Sequence, residues 1–545
     1  MARVLLIDDD ADQLEIRGLL AERAGHSVAS ALDAASAREC FTRFQPEVVV
    51  MDLRIPKSED GLALIREFRA ARPLTRLMIL SGFTADFTGR PEAALVDEVL
   101  AKPVRSARLL ELVAKLVVCL VCLLPQLRAA DAVTFRVTAA AEMLADLDLS
   151  SPGSNWSQEG REAALADVSL DGRIIQNVMV STGAETHTYP VFLGKVPAGE
   201  HSLAIAKNTG YSAPQSGLSV HGARFREVRP ADPDYIAVAN APVLFARRNT
   251  VGKFTDIPLI VYAERLTENG QSILQYTVIF SNEDGGTSTR ALMARWGRTT
   301  DVEYVYRAWL GGNGQVERAA IQADGHKEIE FRGQRDGAHP MLIPSTDNNM
   351  VSDGGPSAIR YQIAPVMVDL TGHSREEVID RHPFAYRIMA EELPRENKLR
   401  PFGTVDDHKI SDPRNYLYLE AKVQNAGSGF AALVRLKGDA RWRSSNLGRE
   451  DYAIERSGWV RTTVELPPGT KAADIAGLGF ACIVVRPGRG PLPIAGTCQL
   501  DAVGKAFFLD RDYKPEPSLW SLQPQSPVAI PSGQIATFPL SGARN

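Results

Sequence analysis

The sequence predicts a multidomain chain: a doubly wound α/β domain with a parallel five-stranded sheet over residues 1–118, followed by predominantly antiparallel β-sandwich modules. Three observations predict it. Short apolar runs rich in β-branched residues alternate with amphipathic stretches as far as residue 118. From residue 133 the hydrophobic pattern changes to period two, punctuated by turn dipeptides. The length of 545 residues exceeds what one core supports, since domains hold roughly 100–200 residues. A composition of 44% hydrophobic and 23% charged residues is ordinary for globular chains. The formal net charge of −5 lacks the basic footprint of a duplex-binding domain, so nucleic acid is not an expected partner.

In the first 118 residues the order is VLLI, QLEIRGLLAERAG, EVVVMDL, ALIREFRAA, RLMILSG and LLELVAKL. Continuous apolar strands separated by helical periods imply βαβ units with helices on both faces of the sheet. Acidic residues stand at the carboxyl ends of strands, where such a sheet presents ligands. Asp8 and Asp9 follow VLLI, and Asp52 follows VVVM. Three converging carboxylates repel one another, and a hard divalent ion such as Mg²⁺, with oxygen ligands, relieves the conflict. Phosphoryl transfer to a carboxylate also needs a positioning hydroxyl and a fixed cation. Ser81 follows RLMIL, and Lys102 follows EVLA and precedes Pro103.

The set Asp8, Asp9, Asp52, Ser81 and Lys102, in these strand contexts, resembles the bacterial two-component response-regulator receiver domain. The resemblance covers residues 1–118. It implies that Asp52 is phosphorylated by a sensor histidine kinase or phosphotransfer protein in the cytoplasm. It also implies that Asp8, Asp9 and Asp52 form a Mg²⁺ pocket, with Asp9 and Asp52 as direct ligands joined by the Arg54 backbone carbonyl. Ser81 would bind a phosphoryl oxygen and Lys102 would pair with the phosphate. No enzyme activity is expected beyond Mg²⁺-dependent self-phosphorylation and autodephosphorylation. Asp10 reads as an exposed loop residue or helix cap. Three departures stand out: the loop LRIPKSEDG is one residue longer than usual before Gly61, Val99 replaces the family's switching aromatic, and Arg54 places a long cation beside the pocket.

Residues 119–132 form an apolar linker-like or signal-peptide-like segment. The uninterrupted run Leu116–Leu124 is nine residues, too short to cross about 30 Å of hydrocarbon at about 1.5 Å per residue. Three readings stay open. Leu109–Leu120 is the last amphipathic helix of the first domain. Alternatively, Lys115, the apolar run and Ala130-Asp131-Ala132 match the three regions of a signal peptide, joined to an upstream domain by gene fusion or a misplaced start. Or 109–127 associates with a membrane as a signal anchor, with Lys102, Arg105, Arg108 and Lys115 before it.

Residues 133–245 read as a sandwich module, with period-2 runs such as DVSLDGRIIQNVMVST between turn signals. Residues 246–408 mix strands with one helix, SREEVIDRH, which Ser374 caps with Glu377 three residues on. Residues 409–515 return to alternation as a second sandwich, and the Pro/Ser-rich residues 516–545 read as an extended tail. Cys482 and Cys498 are placed so that neighbouring strands would bring them together as a disulfide if this part is exported; otherwise they are small buried apolar side chains.

No catalytic signature or helix-turn-helix output module stands in this part. Ca²⁺ near Glu283 and Asp284 competes with a ligand-free Asx/Gly turn, with Arg298, Asp301 and Glu303 nearby. His326, Asp336, His339, Asp347, Asn348, Asn349 and Asp353 offer polar groups for a sugar or metal, against ordinary loop polarity. Trp296, Trp309, Trp442 and Trp459 are sugar-stacking candidates that are more often core. The alternative function is therefore an exported or envelope β-sandwich binding protein, carbohydrate being one possible ligand.

Overall fold

Alternation within continuous apolar runs sets the layers of the first domain. The computed structural model describes residues 2–55, 57–71, 75–82, 90–102, 104, 108–110, 112–113, 132–283, 285–312, 314–485, 496–520 and 526–539. Its chain divides into two compact units close to Val133. In the first, strands β1 (Arg3–Ile7), β2 (Ser27–Ala31), β3 (Val48–Asp52), β4 (Arg76–Ser81) and β5 (Glu98–Ala101) form a parallel sheet of order 2-1-3-4-5. Helices α1 (Ala11–Arg23), α2 (Ala34–Phe44) and α3 (Ser58–Ala71) connect them.

Leu5, Ile7, Val49, Met51, Leu77 and Ile79 face one side of the sheet and pack on Phe41, Ile65 and Phe68. Val4, Leu6, Val48, Val50, Met78 and Leu80 face the other and pack on Leu14, Leu109, Leu112 and Val113. Both faces are thus dry, as an all-parallel sheet requires. Burial of Leu109, Leu112 and Val113 fits the reading of a last amphipathic helix here, whereas Cys119, Cys122 and the whole of 114–131 lie outside the described residues. Among the described residues no helix is long and apolar enough to cross a membrane.

Gly61 explains part of the lengthened loop. A Cβ at this position would lie 2.1 Å from the Leu53 carbonyl oxygen, so the first turn of α3 can seat against the loop only without a side chain. Gly61→Ala should destabilise the first unit by about 2 kcal/mol through this overpacking, read as a lowered urea midpoint at unchanged m-value.

The second unit begins with a sandwich. Strands β6 (Val133–Val137), β7 (Ala141–Ser150), β8 (Ala164–Leu170), β9 (Arg173–Val180), β10 (His187–Val196), β11 (Gly199–Lys207) and β12 (Ser219–Val228) form sheets of order 10-7-12 and 6-11-8-9. Leu147, Leu149, Val168, Val180 and Val191 fill the space between. A six-stranded sheet follows, centred on Gln271–Phe280 and Asp301–Leu310, beside a sheet of short strands around Val243–Phe245. The last sandwich pairs Gly458–Glu465, Tyr416–Ala426, Thr497–Phe507 and Val528–Pro531 in one sheet, and Trp442–Ser444, Gly429–Leu436, Ile475–Ile483 and Ile535–Pro539 in the other.

Three expectations are corrected. The reading of 516–545 as an extended tail fails for Val528–Pro531 and Ile535–Pro539, which complete both sheets of that sandwich and bury Ile530 in its core. Ser374 does not cap a helix: its hydroxyl donates to Glu420 at 2.7 Å, and the short helix Glu377–Arg381 has no side-chain cap. The middle region holds more than one helix, because Thr289–Trp296, with Ser288 as N-cap and left-handed Gly297 as C-cap, and Phe384–Arg395 also form.

Cys482 and Cys498 stand on strands of opposite sheets, with Cα atoms 5.5 Å apart and sulfurs joined as a disulfide in the middle of the core.

Candidate functional site

Parallel β1 and β3 deliver their C-terminal residues to one edge of the first unit. Asp8 is buried, Asp9 exposed and Asp52 half-buried, and their carboxylate oxygens lie within 4.8 Å of one another. Ser81, at the end of β4, is buried, and its carbonyl accepts the Lys102 backbone N–H at 2.8 Å. That bond pins the residue after β5 beside the acids. Lys102 Nζ donates to Asp52 Oδ2 at 2.7 Å and to Asp8 Oδ2 at 2.9 Å. The Arg54 backbone N–H donates to Asp52 Oδ1 at 3.3 Å, and the Arg54 side chain is exposed. Asp10 caps α1, accepting N–H groups from Asp12 and Gln13.

Burial alone would push the Asp8 carboxyl up, but bonds from Lys102 and Arg17, with the Asp10 N–H, hold it below the usual carboxylate range. Burial likewise opposes the charge on Lys102, and the Asp52 and Asp8 carboxylates overcome it, keeping the ammonium above its ordinary value. The pocket therefore sets Asp8 and Asp52, held by Lys102 and, at Asp8, by Arg17, beside the exposed Asp9, an arrangement that suits a hard cation and a tetrahedral anion.

A family model described as the response regulator receiver domain matches residues 4–114. Residues 4–114 are a response regulator receiver domain. No family model matches the rest of the chain. The chain is similar to the probable transcriptional regulator ycf27 of Porphyridium aerugineum, 36% identical over 106 residues, 18% of this chain and 42% of that one. It is similar to PetR of Rhodobacter capsulatus, 36% identical over 112 residues, 20% of this chain and 45% of that one. It thus spans less than half the length of these curated relatives. Among solved structures, a receiver domain protein from Clostridium thermocellum is 25% identical, covers 22% of this chain and 96% of its own, and has a TM-score of 0.20. TrrA from Thermotoga maritima, solved in complex with Mg(2+)-BeF, is 22% identical and covers 21% of this chain and 99% of its own, with a TM-score of 0.20.

Sequence reasoning missed Arg17 in the receiver domain. It reaches from α1 to Asp8 Oδ2 at 2.7 Å and is steadied by Gln13 at 3.1 Å. Nothing in the sequence distinguishes it from other polar residues of an amphipathic helix. Its guanidinium competes with any divalent ion for Asp8. Arg17→Ala should therefore tighten Mg²⁺ binding about tenfold, measured by titration calorimetry. Val99 packs part-buried against the sheet core, so the position three residues before Lys102 carries an aliphatic side chain.

Of the clusters foreseen in the second unit, Glu283, Asp301 and Glu303 do come together around Arg298, with the Asn349 amide donating to Asp301 at 3.0 Å, while the other polar residues take separate partners. Asp284 lies outside the described residues, and Glu283 accepts the Thr287 N–H at 3.1 Å; Ca²⁺ finds no support there. His339 stacks on Phe192 and bonds Ala241 O and Glu142. Asp336 pairs with Arg360, Asp347 with Arg247, and Asp353 accepts the Arg332 N–H. Asn348 bonds Thr346, and His326 bonds Gln322 beside Glu303. Arginines cover the rings of Trp296, Trp309 and Trp442, and His373 lies beside Trp459. One further group of potential ligands, His373, Glu377 and Glu420, occurs among the described residues, but Lys505 already contacts Glu377 and Arg461 contacts Glu420.

Proposed function

We propose that the receiver domain accepts a phosphoryl group on Asp52 from a sensor histidine kinase or phosphotransfer protein, in a Mg²⁺-dependent reaction. The observation that carries this reading is the convergence of Asp8, Asp9 and Asp52 with the Lys102 ammonium on Asp52. The donor set fits Mg²⁺, because all three acids are hard oxygen ligands. Asp9 and Asp52, with the Arg54 carbonyl, would hold the ion, which when bound screens charge on the transferring phosphoryl group. Lys102 supplies the fixed positive charge and Ser81 the hydroxyl for phosphoryl oxygens. With Val99 in place of an aromatic ring, the readout does not pass through an aromatic rotamer. Labelled acetyl phosphate with Mg²⁺ tests the reading. Label should enter the wild-type chain and be absent from Asp52→Asn; equal labelling of both would overturn it.

A second reading concerns the second unit. The Cys482–Cys498 link lies buried between two sheets, and such links persist in oxidising compartments. We infer that the part following residue 132, comprising modules 133–245, 246–408 and a last sandwich from 409 that takes in Val528–Pro531 and Ile535–Pro539, is exported, while residues 1–118 act in the cytoplasm. N-terminal sequencing of protein from the host should find a product starting near Ala132. Recovery of only full-length chain, with both thiols open to alkylation without reductant, would exclude export.

A further inference from the structure

The second unit carries a cavity of about 900 Å³ open to solvent, bounded by β9 and β10, the strand Pro258–Glu268, the helix Phe384–Arg395 and the loop 511–514. This size falls in the range of small-molecule sites, roughly 300–1,000 Å³. Two buried polar atoms belong to residues that line it and have no partner among the described residues. Gln176 and Tyr361 are 1% and 2% exposed. The Gln176 amide nitrogen donates to Phe192 O at 2.9 Å, which fixes the orientation of the amide, and its Oε1 is left without a donor. The Tyr361 hydroxyl is likewise unbonded. Buried polar groups are ordinarily satisfied, so one orphaned acceptor and one orphaned hydroxyl at the same cavity point to a ligand with hydroxyl groups.

The walls add rings. His187, Tyr189, Phe384 and Tyr513 line the cavity half-buried. The His187 ring lies 4.8 Å from Phe384 and 5.0 Å from Tyr189. Tyr513 takes a left-handed conformation, φ 61°, which is costly for a bulky side chain. The strain is held by Asp510, whose carboxylate accepts the N–H groups of Asp512 and Lys514, while Arg414 stacks on the Tyr513 ring. The charges cancel: among the described residues four cationic side chains line the cavity, Arg387 and Arg511 among them, against four carboxylates, Glu185 and Asp512 among them. Arg387 meets Glu185 at 3.2 Å and Arg511 meets Asp512 at 3.5 Å. A polyanion finds no net charge here, and a purely apolar ligand would leave Gln176 and Tyr361 unpaired.

We propose that this cavity binds a neutral oligosaccharide, its hydroxyls meeting Gln176 and Tyr361 and its C–H faces lying on the aromatic rings. The inference depends neither on Asp52 phosphorylation nor on export. Titration calorimetry of the full chain with cello-, xylo-, manno-, malto- and chitohexaose, and with oligogalacturonate, tests it. At least one neutral series should bind. Tyr361→Phe, which removes a single oxygen, should weaken that binding about tenfold, and Phe384→Ala should weaken it further, both with wild-type circular dichroism. Binding of oligogalacturonate alone, binding of no hexaose, or wild-type affinity in both variants would overturn the proposal.

Discussion

Arg461→Met will lower the stability of the second unit by about 4 kcal/mol, the cost of leaving buried carboxylates without their cation. Arg461 stands on the strand Gly458–Glu465 and is fully buried. Its guanidinium bonds Asp380 through both terminal nitrogens, at 2.7 and 3.1 Å, and Glu420 at 3.0 Å. Tyr386 donates to Asp380 at 2.7 Å. Burial pushes the Asp380 carboxyl up, yet Arg461, with Lys505 beside it, holds it below the usual range. Methionine fills much of the same space but supplies no charge, so Asp380 keeps Lys505 and the Tyr386 hydroxyl, and Glu420 keeps His373 and Ser374. The loss should be greatest near pH 7 and shrink as the pH falls and the orphaned carboxyls take up protons. Urea unfolding of the variant at two pH values reads both. Arg461→Lys should recover only part of the loss, since an ammonium cannot make the two-pronged bond.

The receiver pocket was legible because a parallel sheet leaves few places for its acids. Asp8, Asp9, Asp52, Ser81 and Lys102 each follow a recognisable apolar run, so their strand ends, and hence their convergence, could be read from sequence. Arg17 was not legible, because its role depends on the pitch of α1 over the sheet edge rather than on any local pattern. In the second unit both faces of one strand are covered: in YLYLEAKV the leucines enter the sandwich core while Tyr416 and Tyr418 pack into a separate cluster with Tyr386 and Met389, a partner that period-two alternation alone does not reveal. Arg461 and Glu420 are polar residues on that covered face. The helix Phe384–Arg395 was hidden by its flanking prolines: Pro383 serves as its N-cap residue and Pro394 falls in its last turn, where its missing N–H and ring constraint usually mark a boundary. The polar residues between His326 and Asp353 looked like a site because sequence shows their density but not their partners, and tertiary packing gives most of them separate neighbours.

Asp301→Asn should stabilise the second unit by about 2 kcal/mol at pH 8 and by little at pH 4. Asp301 is 2% exposed and Asn349 is fully buried; the Asn349 amide donates to Asp301 at 3.0 Å. Burial, and after it the nearby Glu303 charge, pushes the Asp301 carboxyl up to about 7. Burial and the Asp301 charge push Glu283 up to about 7 as well, and burial raises Glu303. Arg298 works in the opposite direction on all three and is outweighed. The folded state therefore binds more protons than the unfolded chain across the interval from about pH 4 to about pH 7. Stability from these groups is complete below their unfolded values and declines as the pH rises through the folded ones. Asparagine retains an oxygen for Asn349 and removes one charge from the group, so Glu283 should also return toward its ordinary range. Subtracting the wild-type stability curve from that of the variant isolates this contribution from the many carboxylates, Asp380 among them, whose depressed values act in the opposite direction. The difference should grow between pH 4 and pH 7 and then level off; a difference independent of pH would show that these carboxylates are already ionised without penalty in the folded chain.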